Sequence, residues 1–135
     1  MTPDDVIMSR LLESSRRIAV LGASPRPDRA SHQIFRYLLA AGYDAIPVTP
    51  SADEILGVAC VPDLASAGPV DLVDVFRAPE HLPGVVDEAI ASRAPALWLQ
   101  LGVVHAEAIA RARAAGLEVV VDRCIMVDHR RLMGG

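Results

Sequence analysis

Arg16-Arg17-Ile18-Ala19-Val20-Leu21-Gly22, continuing as Ala23-Ser24-Pro25-Arg26-Pro27-Asp28-Arg29-Ala30-Ser31, is the stretch that decides the fold. An apolar run of strand length ends in a glycine and opens into a helical pattern, so the reading is strand, turn, helix. Amides freed by a glycine turn and by a helix N-terminus attract anions, which makes the segment a candidate phosphate or nucleotide cradle.

Upstream, Thr2-Pro3-Asp4-Asp5 carries a capping hydroxyl, a proline for the first turn and acids for the positive end of the helix dipole. A short helix over residues 3–14 is predicted. Downstream, further apolar runs follow the first (18–21) at 45–48, 72–76, 96–99 and 119–121. Apolar on both faces, they suit a buried parallel sheet. Ile34, Leu38 and Leu39 recur at helical spacing before Gly42, and Leu82, Val85, Val86, Ala89 and Ile90 form a stripe ending near Arg93. A third helix is expected over 104–115, stopped by Gly116 in a left-handed cap. Residues 55–67 are less regular and read as a short edge strand around 58–61 with one helical turn.

Strand alternating with helix over 135 residues gives one α/β domain: a doubly wound, Rossmann-like five-stranded parallel sheet. The expected strand order is 3-2-1-4-5, with helices on both faces and an N-terminal helix. A hydrophobic content of 52% is ample for a single core. With 4% aromatic residues and a net charge of −4, the chain lacks the basic surface and stacking platforms of a nucleic-acid binder. No apolar run reaches the roughly 18 residues that span a bilayer. Asp4, Asp5 and Glu13 occupy the region where a secretory signal is basic and then apolar, so a cytoplasmic location is expected. Cys60 and Cys124 stand far apart without partners at metal-ligand spacing and read as free thiols.

Ligands of doubly wound sheets bind at the carboxyl ends of the strands. The residues there are Gly22-Ala23-Ser24-Pro25, Thr49-Pro50, Phe76-Arg77, Gln100-Leu101-Gly102 and Asp122-Arg123-Cys124. Gly22 allows close backbone approach to a phosphate, Ser24 adds a hydroxyl, and Arg26 and Arg29 supply charge. Ser31 is placed to cap the following helix, whereas His32 has no partner visible in the sequence. Arg77 suits a phosphate through its planar fork, with a salt bridge to Asp74 or Glu80 as the alternative. Gln100 is either a ligand contact or an internally bonded amide, and Cys124 either a rim thiol or a small buried hydrophobe. His81, His105 and the tail Asp128-His129-Arg130-Arg131 read as solvated surface. The three-glycine dinucleotide fingerprint is missing, and Thr49-Pro50 stands where an NAD site places its ribose-binding acid. The Walker pattern is missing as well.

Taken in order, Ser24-Pro25-Arg26-Pro27-Asp28-Arg29 with Ser31-His32, Ile46-Pro47-Val48 with Pro50, Val70-Asp71-Leu72-Val73-Asp74-Val75-Phe76-Arg77, Trp98-Leu99-Gln100-Leu101-Gly102 and Asp122-Arg123-Cys124 resemble the small stand-alone CoA-binding domain family. That family shares its fold with the nucleotide-binding domain of the succinyl-CoA synthetase alpha subunit. The resemblance implies coenzyme A as ligand, its 3′-phosphorylated ADP part near the first two strands and its pantetheine across the sheet's edge. On this reading Gly22, Ala23, Ser24 and Pro25 form the phosphate turn, and Arg26, Ser31 and Arg77 are phosphate partners. Pro50, Val75 and Phe76 flank the adenosine. Gln100, Gly102, Arg123 and Cys124 lie toward the pantetheine. Thr49 departs from the family's common asparagine before this proline.

No catalytic set is assembled by the pattern, so the first reading is a module that binds CoA or acyl-CoA without turning it over, in regulation or in supply to a protein partner. The alternatives are an enzyme using Cys124, His105 or His129 on a bound thioester, with Arg123 lowering the thiol pKa, and a redox protein in which Cys124 pairs with the CoA thiol.

Overall fold

The computed structural model describes residues 1–134. Helix α1 (Pro3–Ser14) starts in a reciprocal capping box: the Asp5 amide donates to the Thr2 hydroxyl and the Thr2 amide to the Asp5 carboxylate. Then come β1 (Arg17–Leu21), α2 (Ala30–Ala40), β2 (Asp44–Val48), β3 (Glu54–Ile55), β4 (Val58–Ala59), α3 (Leu64–Ala67) and β5 (Leu72–Val75). A single 3-10 turn (Pro79–His81) leads into α4 (Leu82–Ala91), β6 (Ala96–Leu99), α5 (Ala106–Ala114), β7 (Glu118–Val120) and α6 (Ile125–Leu132).

Five strands form one parallel sheet in the order β2-β1-β5-β6-β7, and β3 and β4 make a separate antiparallel hairpin. Alternate residues feed two cores. Ala19, Leu21, Val73, Val75, Leu97 and Leu99 pack under α3, α4 and α5, while Ile18, Val20, Leu72, Ala96, Trp98 and Val120 pack under α1, α2 and α6. Three helices thus cover each face, as a doubly wound α/β sheet requires.

The strand order differs from the expected 3-2-1-4-5. The third long strand, β5, lies beside β1 rather than outside β2. Its place is taken by Val61, whose amide donates to the Pro47 carbonyl and whose carbonyl accepts from Thr49, a one-residue parallel bridge on the outer edge of β2. The register of β5 against β1 is locked at their amino ends, where Asp71 accepts from the amides of Arg16 and Arg17, both at 2.9 Å. Those two bonds hold the Asp71 carboxyl below its ordinary pKa. The Arg17 guanidinium adds bonds to the carbonyls of Ala67 and Pro69.

Two local expectations also change. Ser31 does not cap α2: the N-cap is Arg29, and its side chain makes no cap hydrogen bond. The 128–131 tail is not plain surface, because it belongs to α6. Ile125 and Asp128 are buried, and the Tyr37 hydroxyl meets His129 Nδ1 at 2.7 Å.

Charge ties α6 to α1. Arg131 bridges Asp5 (2.8 Å) and Asp128 Oδ1 (3.0 Å), and Arg123 donates to both Asp128 oxygens, sharing Oδ1 with Arg131. The Arg131 bond lowers the Asp5 pKa from 3.8 to about 2. A depressed carboxyl pKa stabilises the folded state above the unfolded value, and that contribution disappears as pH falls through the folded one. Its window is therefore bounded by 3.8 and about 2. A carboxyl-detected NMR titration is expected to place the Asp5 midpoint near the lower bound, and Arg131→Leu to return it toward the upper; an unmoved midpoint in the variant would assign the shift elsewhere.

Candidate functional site

The chain leaves β1 for β2 on one side and returns to β5 on the other, so a crevice opens between the carboxyl ends of β1 and β5. Gly22 forms its floor. Its φ is +89°, and a Cβ there would stand 2.5 Å from the Phe76 carbonyl oxygen. Only glycine lets the two strand ends approach this closely.

Cavities share this crevice. One of about 350 Å³ is lined by Gly22, Ser24, Arg26, Arg29, Ser31, Ser51 and Phe76. A second, of about 570 Å³, runs from Gly22 and Arg77 past Val48, Thr49, Pro50 and Pro62 to His81 and Val85. A third, of about 280 Å³, lies between Phe76, Arg77 and Pro79 on one side and Gln100, Leu101 and Gly102 on the other. The first and second share Gly22, the second and third share Arg77, and the first and third share Phe76.

The first cavity has the chemistry of an anion site. Gly22 and Ala23 do not offer their amides, because both donate to the Val48 carbonyl. Among the described residues the amides of Ser24, Ala30 and Ser31 meet no protein acceptor, so the donors are one turn amide and the uncapped first turn of α2. The Ser24 hydroxyl accepts from the Arg26 amide at 3.1 Å, which leaves its proton for a ligand. No acid sits in the first turn of α2. Arg26 touches Asp28 at 3.2 Å in an exposed pair of the kind worth little, one that a phosphate can replace. Arg77 is exposed and pairs with neither Asp74 nor Glu80 among the described residues.

The second cavity has more apolar walls, with Leu21, Val48, Pro50, Pro62 and Val85 along them. Its acids are already committed to backbone: the Asp63 carboxylate accepts from the Ser66 amide and Glu88 from the Leu64 amide. No carboxylate follows β2, where Thr49 instead bonds Ser51 at 2.9 Å. In the third cavity Gln100 is buried, its Oε1 accepting from the Ile125 amide to cap α6, and Gly102 is latched to Asp122 at 2.7 Å.

Most of the residues singled out in sequence therefore converge: Gly22, Ala23, Ser24, Arg26, Ser31, Pro50, Phe76, Arg77, Gln100 and Gly102 all line the crevice. Four do not. Pro25 sits in the turn without lining a described cavity. Val75 is wholly buried in the core beneath. The Arg123 guanidinium is turned onto Asp128 and borders a different cavity, of about 250 Å³, between α1 and β7. Cys124 is the N-cap position of α6, packed against the core. His105 caps α5 through Nδ1, and His129 packs on Tyr37 and Tyr43. Ser51, Pro62 and Pro79 escaped sequence reading because they enter from connections, not from strand ends.

A doubly wound, Rossmann-like domain with a crevice at its switch point is the class that fold and site geometry define. The family model for a CoA binding domain matches residues 16–130. The uncharacterized protein YneT of Bacillus subtilis is 44% identical over 128 residues, covering 94% of this chain and 95% of that protein. The solved structure of cell-free ID.343 from Thermus thermophilus is 40% identical with a TM-score of 0.91, covering 98% of this chain and 99% of that one. A dinucleotide-forming acetyl-coenzyme A synthetase of Ca. Korarchaeum cryptofilum is 27% identical with a TM-score of 0.67, over 76% of this chain and 25% of the synthetase. The chain belongs to the CoA-binding domain family. No helix among the described residues is long and apolar enough to cross a membrane.

Proposed function

We propose that the crevice binds coenzyme A or an acyl-CoA, and that the chain works as a binding module in regulation or in supplying CoA to a partner. The observation that carries this reading is the coincidence, at one switch point, of the uncapped α2 N-terminus, the exposed Arg77 and a more apolar lobe with no acid directly after β2. The diphosphate is assigned to the Ser24–Ser31 corner, the adenosine to the lobe walled by Pro50 and Pro62, and the pantetheine to the groove past Phe76 toward Gln100.

Calorimetry with CoA, dephospho-CoA, ADP and NAD tests the assignment. CoA is expected to bind best, with dephospho-CoA about tenfold weaker through loss of one charge-assisted contact. Equal or tighter binding of NAD would overturn the reading.

A further inference from the structure

Nothing in the sequence indicated a role for His32, yet its imidazole is enclosed, with 4% of its surface exposed, on the inner side of α2. Nδ1 lies 2.9 Å from the Ser24 carbonyl oxygen, and Nε2 lies 3.5 Å from a terminal nitrogen of Arg36, one helical turn further along. We propose that His32 is a positioning residue for the anion corner, held as the neutral Nδ1–H tautomer that fastens the Ser24 turn to α2.

The two neighbours decide the proton's place. A backbone carbonyl only accepts, so Nδ1 must carry a hydrogen; a guanidinium only donates, so Nε2 must offer its lone pair. One neutral tautomer satisfies both contacts. The alternative tautomer sets a lone pair against a carbonyl and an N–H against a cation, losing both bonds.

The consequence reaches the crevice. Ser24 lines the anion cavity and His32 does not, so the bond draws the Ser24 carbonyl dipole away from the space an anion would fill. It also fixes the start of the turn whose hydroxyl receives the Arg26 amide. The last part of the inference rests on reading this corner as the CoA phosphate site, but the latch itself does not.

Long-range ¹H–¹⁵N correlation spectra of histidine-labelled protein, with His32→Asn to identify the resonance, are expected to show the Nδ1–H tautomer. His32→Asn keeps a donor near Nδ1 and should leave hydrogen exchange at the Arg26 amide and CoA affinity within about threefold of the parent. His32→Leu removes the donor, and both quantities should change by about tenfold. An Nε2–H tautomer, or a leucine variant with exchange and affinity unchanged, would overturn the proposal. Should His32→Leu fail to fold, the tautomer of the parent protein still decides. A parent that shows the Nδ1–H tautomer and slow Arg26 exchange but no CoA binding would defeat the CoA assignment while leaving the latch in place.

Discussion

Gly22→Ala is expected to destabilise the protein by about 3 kcal/mol and to weaken CoA binding by at least about 100-fold. Two costs combine. At φ +89° an L side chain is strained whatever the space around it. In addition, the new methyl would stand 2.5 Å from the Phe76 carbonyl oxygen, and neither partner is a flexible side chain that can swing aside. Relief requires prising the end of β1 from β5, and the Phe76 amide donates to the Leu21 carbonyl at 2.8 Å across that seam. The same displacement disturbs the amides of Gly22 and Ala23 on Val48, and with them the turn that presents Ser24. Urea unfolding and calorimetry read the two effects. A variant with near-parental stability and affinity would show that the strand ends are not constrained as described. By contrast, Gly42→Ala meets no atom within 4 Å and carries only the backbone strain of φ +96°, so its effect on binding should be small.

Asp74→Val is expected to raise stability at neutral pH by about 2 kcal/mol. Asp74 sits in the central strand between Val20 of β1 and Trp98 of β6, with no exposed surface and neither carboxyl oxygen hydrogen-bonded among the described residues. Desolvation therefore pushes its pKa well above the ordinary 3.8. The sign follows directly. A raised folded pKa means that the native state binds the proton more tightly than the unfolded chain, so stability falls as pH rises from the unfolded value toward the folded one. Asp74→Asn removes the titration and should match the parent near pH 4 while exceeding it at higher pH. Asp74→Val also removes the buried polar group, at close to the original volume and with a residue suited to a strand, and should exceed the parent at both ends. Thermal unfolding across that range is the measurement. An asparagine variant whose stability falls below the parent's as pH rises would mean that the parent's carboxylate is charged and partnered.

The division between what was legible in sequence and what was not follows the range of the interactions. Strands and crossover helices were readable because they are written as local periodicity: Ile18 to Leu21, Ala96 to Leu99 and the stripe from Leu82 to Ala89 occupy the elements expected of them. The cap at Thr2 was readable because its partner is three residues away. The role of His32 and the partner of Gln100 were not, since the His32 contact with the Ser24 carbonyl crosses a turn and the Ile125 amide that bonds Gln100 lies a helix and a strand further on. Arg123 was misplaced for the same reason. Its position after β7 is right for a strand-end ligand residue, but Asp128 on the following helix claims the guanidinium.

Sequence alone determined the α/β class, the strand-turn-helix that opens α2 and the absence of a ribose acid after Val48, because each depends on residue type and near-neighbour spacing. Only the tertiary structure decided that β5 lies beside β1, since Val61 fills the outer edge of β2 and Asp71 ties the amino ends of β1 and β5 together. That choice puts Gly22 against Phe76 and makes one crevice of cavities that residues far apart in the chain supply. Strand pairing is a long-range selection among edges that look alike in sequence, and it is settled by which backbone groups and carboxylates meet once the sheet is assembled.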